Sequence, residues 1–230
     1  MTNRRTGLAL VLVALTGAVL ALYYYVHKPI TPAQALAFAQ SLANVIVALA
    51  LVVLAGGLGQ RLLHFWLGPQ PAEGAVSDGE RVVVEVALGW GVIALGMLGL
   101  GLLRLYYPIV AWVLAGLLLL LLWRNCRAWC GALASSVRAL APAGRLARAA
   151  AAFTGLILAV GFVRALAPPV TWDALVYHLT LPALYARTHG LQVSLADFTF
   201  FSGMPQLNEM LYTAAALLRV DPLGASIAAQ

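Results

Sequence analysis

Five apolar runs, each about as long as a helix that crosses a bilayer, constrain this chain more than any other feature. A hydrocarbon core of about 30 Å takes roughly 20 apolar residues in helical form. Runs of that kind cover residues 7–26, 37–58, 82–103, 107–123 and 147–167. The first follows Arg4 and Arg5 as a signal peptide would, but it ends in Tyr23, Tyr24 and Tyr25 without a small-residue cleavage pattern. It is expected to be an uncleaved helix with an aromatic anchor at the interface. Composition removes the competing classes. Only 10% of the 230 residues are charged and 63% are hydrophobic, whereas a soluble domain carries roughly 25% charged residues and about 45–50% apolar ones. The expected fold class is therefore all-α, a polytopic transmembrane helical bundle.

The charges that remain set an orientation. The net charge of +6 comes from residues that mostly flank the apolar runs, so it points to membrane topology and not to a nucleic acid. Between the fourth and fifth runs stand Arg124, Arg127, Arg138, Arg145 and Arg148 with no acidic residue among them. The positive-inside rule assigns that loop to the cytoplasm. Alternation then places Arg4, Arg5, Arg61, Arg81, those five arginines and Arg219 inside, and Lys28, Arg104, Arg164 and Arg187 outside. The expected location is the cell inner membrane, multi-pass, with a cytoplasmic N-terminus.

Two regions follow. Residues 1–148 hold four spans and the arginine-rich cytoplasmic loop. Residues 149–230 hold the fifth span and an extracytoplasmic loop over 168–203, which contains Asp173, His178, His189 and Asp197. Residues 205–219 are expected to form a short helix, because Pro205 suits a first turn and Glu209 the positive end of the helix dipole. At about 22 Å it is shorter than the hydrocarbon core, so a tilted short span and half of a broken one both stand open. An apolar helix starting at Ala225 stops at Gln230, and the chain is expected to be a fragment of a longer protein.

Several features have plain structural explanations. Small-xxx-small pairs such as Ala87/Gly91 and Ala111/Ala115 let helices approach closely. Cys126 and Cys130 are expected to be free thiols, since the compartment is reducing and two thiols alone cannot close a zinc site. Glu85 is about one turn deep, where it can reach the interface or pair with Arg81 at i−4. In the external loop, Asp173 can simply cap a helix, with Tyr177 and Tyr185 as interfacial aromatics and His178 at the surface.

That loop also carries a likeness. The run Pro168-Pro169, Trp172-Asp173-Ala174-Leu175-Val176-Tyr177-His178-Leu179, Leu181-Pro182, Leu184-Tyr185, followed by Phe201-Ser202-Gly203-Met204-Pro205-Gln206-Leu207 and Glu209-Met210-Leu211-Tyr212, resembles bacterial GT-C superfamily membrane glycosyltransferases. More narrowly, it is similar to the branch related to protein mannosyltransferases and lipid A aminoarabinose transferases. The likeness covers roughly residues 150–230. It implies a GT-C-like fold, a sugar donor carried on a polyprenyl phosphate, and an acidic active-site residue in the periplasmic loop, a position held here by Asp173. Where the family often shows an Asp-Glu pair, Asp173 is followed by Ala174.

The chemistry of such a transfer needs a base for the acceptor hydroxyl and cations for the departing phosphate. Asp173 is the candidate base and His178 its auxiliary, as proton shuttle or metal ligand. Arg164 and Arg187 are the candidate phosphate-binding residues. The cofactor stays open, with a divalent metal as one option. The expected partners are the lipid-linked donor, the bilayer and an acceptor of unknown kind. A transporter or a non-enzymatic multi-span membrane subunit is the alternative. Asn44 and Thr154, the strongest polar candidates within the spans, are not ionisable, and transporters usually place polar or broken helices near the midplane.

Overall fold

The computed structural model describes residues 2–27, 31–68, 77–139, 144–166, 174–191 and 206–219. Among these every regular element is helical and no strand occurs. The elements are α1 (Thr2–His27), α2 (Pro32–Leu67), α3 (Asp78–Leu102), α4 (Pro108–Leu121), α5 (Trp123–Ala139), α6 (Arg145–Ala165), a π-helical turn (Ala174–His178), α7 (Thr180–Thr188) and α8 (Leu207–Arg219). The chain divides into two compact units, Met1–Gln40 and Ser41–Gln230.

In the first unit α1 is one helix through the Tyr23–Tyr25 stretch, with its described apolar side chains from Leu12 to Tyr23 exposed. The start of α2 carries a reciprocal cap: the Thr31 amide donates to Gln34 Oε1 and the Gln34 amide donates to Thr31 Oγ1.

Three helices are long and apolar enough to cross a membrane among the described residues: Gln34–Leu67 within α2, together with α3 and α6. They become four if α4 and α5, bent by 73° at Leu122, count as one. This is fewer than the five runs of the sequence. α4 alone has 14 residues, about 21 Å at 1.5 Å per residue, and the chain turns where the leucine run gives way to Trp123-Arg124-Asn125.

Ser77 starts α3 with a complete capping box: its hydroxyl accepts from the Glu80 amide while the Glu80 carboxylate accepts from the Ser77 amide. The α2–α3 pair then closes through glycines. A side chain at Gly59 would meet the Glu85 carbonyl, and one at Gly89 would meet the Ala55 carbonyl. The close approach expected of small residues is therefore real but rests on Gly59 and Gly89, since Gly91 faces open space. Gly56 and Gly57 admit Trp129 and Cys126 of α5 in the same way.

Toward the Leu102 end of α3, α8 completes the core. Met210, Ala214 and Leu217 recur at helical spacing and join Ala94, Met97, Tyr106, Leu181 and Tyr185. Ala215 and Leu218 pack with Val47 and Leu51 of α2. Buried Tyr106 donates its hydroxyl to the Met97 carbonyl at 2.8 Å and lies 3.2 Å from Met210 Sδ. Beneath Ala214 and Leu218, apolar side chains including Leu54, Leu58, Ile93 and Leu114 line a cavity of about 340 Å³. α6 is different. Its large apolar residues, from Leu146 to Val163, are all exposed, and Thr154 is exposed with them.

Candidate functional site

α7 ends on His189, whose left-handed backbone (φ 58°) lets the Gly190 amide return to the Tyr185 carbonyl at 3.1 Å. The following residues fasten this end to the α3–α4 turn. The Tyr106 amide donates to the His189 carbonyl, the Leu191 amide donates to the Gly101 carbonyl, and His189 Nδ1 donates to the Tyr106 carbonyl at 3.0 Å. The His189 ring also stacks on Tyr107 at 4.1 Å. His189 is thus a positioning residue for α7, with its ring committed to a backbone acceptor.

With α7 fixed, the π turn before it delivers His178 to the first turn of α8. His178 Nδ1 lies 2.8 Å from Glu209 Oε1. The histidine side chain keeps 27% exposure and the glutamate 6%, so the carboxylate is the buried member and the imidazole the accessible one. The Glu209 main-chain carbonyl accepts from Thr213 Oγ1 at 2.6 Å, one turn along α8. Carboxylate charge is favoured at this helix start, where the first amide groups have no helical partner. Glu209 Oε2 is buried with no hydrogen-bond partner among the described residues, and such an atom usually awaits a water, an ion or a ligand.

Aromatic rings frame the pair. Tyr177 tilts against His178 at 4.0 Å and Tyr212 stacks on it at 5.9 Å. Tyr185 donates its hydroxyl to Gln206 Oε1. Burial raises the Tyr185 phenol above its usual range. The rings act as walls of the pair, and Tyr185 as a hydrogen-bond donor as well.

Of the residues expected to act, the structure gives His178 a buried acidic partner in place of the surface position that simple capping required. Arg187 is exposed in the last turn of α7, and Arg164 is exposed in the last turn of α6. Neither guanidinium makes an ion pair with Glu209. Asp173 and Asp197 lie outside the described residues, as does Pro205; Asp173 directly precedes the π turn in sequence. The residue that sequence reasoning missed is Glu209. It had a role only as a dipole partner, and nothing in a 31-residue separation signals its pairing with His178.

A second buried carboxylate sits at the other end of α3. Glu85, wholly buried, accepts from Arg81 Nε at 2.9 Å, and the Arg81 guanidinium reaches His64 Nε2 on α2 at 2.8 Å. Asn125 of α5 donates to buried Gln60 of α2 at 3.4 Å, and the Trp129 indole donates to the Val82 carbonyl at 3.3 Å. The i−4 pairing with Arg81 was expected, and the depth of burial was not. Asn44 is also buried, and it accepts from Arg219 Nε at the end of α8. Cys126 and Cys130 are free thiols.

A divalent metal finds a partial donor set here. Among the described residues no group of three His, Cys, Asp or Glu side chains is placed to hold an ion. His178 and Glu209 supply two donors, and those two already bond to each other. Compared with known protein families, with curated proteins and with solved structures, the chain shows no match to any of them.

Proposed function

We propose that this chain belongs to an integral membrane glycosyltransferase that moves a sugar from a polyprenyl-phosphate donor to an acceptor at the extracytoplasmic face. In this reading it lies in the inner membrane with its N-terminus in the cytoplasm, and the fold is GT-C-like. The observation that carries the proposal is the His178–Glu209 pair: an accessible imidazole held by a buried carboxylate, five residues after Asp173.

The roles follow from the chemistry. With Nδ1–H donated to Glu209, His178 keeps its Nε2 lone pair available for a proton. Asp173 takes the proton of the acceptor hydroxyl as the new oxygen–carbon bond forms at the anomeric carbon, and His178 relays it. The bond from that carbon to the phosphate oxygen breaks, and polyprenyl phosphate departs with the electron pair. Arg164 and Arg187 would steady its charge with paired guanidinium hydrogen bonds. The cavity beneath α8 offers hydrocarbon an apolar surface.

The test is transfer from a lipid-linked sugar by the full-length membrane protein. Asp173→Asn and His178→Gln should each lower turnover by about 100-fold or more, while Asp197→Asn leaves it unchanged. Undiminished turnover by a normally inserted Asp173→Asn protein would remove Asp173 as the base. The transporter reading draws its support from the buried Gln60, Glu85 and Asn44 side chains. Substrate flux across vesicles without a covalent product would favour it.

A further inference from the structure

α5 is two-faced along its length. Cys126 and Trp129 are buried against α2 and α3, while Arg124, Arg127 and Arg138 are exposed. At 3.6 residues per turn these three arginines fall within about one sixth of the helix circumference, in a stripe about 21 Å long opposite the packed face. No acidic residue occurs between 124 and 148, where Arg145 and Arg148 add two more exposed cations. Among the described residues neither ion pair involves this stripe.

Trp129, Leu133 and Val137 follow one another at i+4 in a row that turns about 40° around the helix at each step, and their exposure rises from 3% to 38% to 60%. Ala132 and Ser136 stay partly covered on the Trp129 side, so the apolar row emerges beside the packed face as α5 proceeds. The 73° bend from α4 turns α5 well away from that helix's axis. An apolar row continued beside a bundle, with a cationic stripe behind it and no acid to neutralise it, matches the interfacial zone of a leaflet with anionic headgroups.

We propose that the second half of α5 is an in-plane membrane helix that selects anionic phospholipid. Leu133 and Val137 enter the acyl boundary, and Arg124, Arg127 and Arg138 hold the phosphates around it. Arg145 and Arg148 extend the basic surface into α6. The proposal rests on the membrane reading and is independent of any transfer chemistry.

Cys130 provides the probe. It is exposed on the border between the two faces of α5, while Cys126 is buried. The full chain, labelled at Cys130 with an environment-sensitive fluorophore, is placed in nanodiscs of phosphatidylcholine alone or of an equal mixture with phosphatidylglycerol. Acrylamide quenching should fall in the mixed discs. Each arginine is worth about fivefold in preference for the anionic surface, so the Arg124→Gln/Arg127→Gln/Arg138→Gln protein should lose most of the difference. Leu133→Gln/Val137→Gln should leave the label accessible in both discs. Equal quenching of the unsubstituted chain in the two discs overturns the proposal, as does a triple-glutamine variant that distinguishes them as strongly as the unsubstituted chain. Binding of polyglutamate to discs of phosphatidylcholine alone, with no response to phosphatidylglycerol, would assign the stripe to a soluble acidic partner instead.

Discussion

Glu85 and Glu209 are both buried carboxylates near an end of α3, and each leaves Oε2 without a partner among the described residues. They differ in what holds the other oxygen. Glu85 is held by Arg81 of its own helix, a cation that never discharges, whose far side is occupied by His64. Glu209 is held by His178, a group that can carry or release a proton, brought from a separate segment with its ring partly open to solvent. One carboxylate sits in a network that ties α3 to α2, and the other is held by a partly accessible imidazole from a separate segment. Burial alone does not separate the two; the partner's chemistry does.

The comparison breaks most directly at the partners. Arg81→Ala should cost about 3–5 kcal/mol, because a buried carboxylate then loses its counter-charge. His178→Ala should cost less, about 1–3 kcal/mol for a lost hydrogen bond to a buried group. Unfolding titrations in detergent measure both, and a larger loss for His178→Ala would reverse the assignment of roles. Next in size is Gly89→Val, which places a branched side chain against the Ala55 carbonyl and should cost about 1–3 kcal/mol by driving α2 and α3 apart. Its effect should appear as loss of the Gln60–Asn125 and Arg81–His64 contacts, read by faster labelling of Cys126, with the His178 end little changed.

Ser77→Ala should cost about 1 kcal/mol, through the cap that fixes the turn before Arg81.

Local rules were readable in advance and long-range ones were not. The helical class, the short helix ending at Arg219 and the Arg81–Glu85 pair follow from spacing within one element. The bend at Leu122 has no proline or glycine to announce it; its only trace is the abrupt change from leucines to Trp123-Arg124-Asn125. Gly59 and Gly89 look like any other glycines in an apolar run until α2 and α3 are set side by side. The His178–Glu209 pair depends on a π turn, a left-handed residue and two helices agreeing on one geometry, and no short window of residues encodes that.

The tie between the Tyr106 main chain and His189 spans 83 positions of the chain. During synthesis the α3–α4 turn therefore leaves the ribosome with the Tyr106 amide and carbonyl lacking their His189 partners, and it waits for the strap that closes over them. At about 5–20 residues per second, that wait lasts several seconds. A nascent chain stalled before His189 should present this turn to insertase or quality-control factors without its strap.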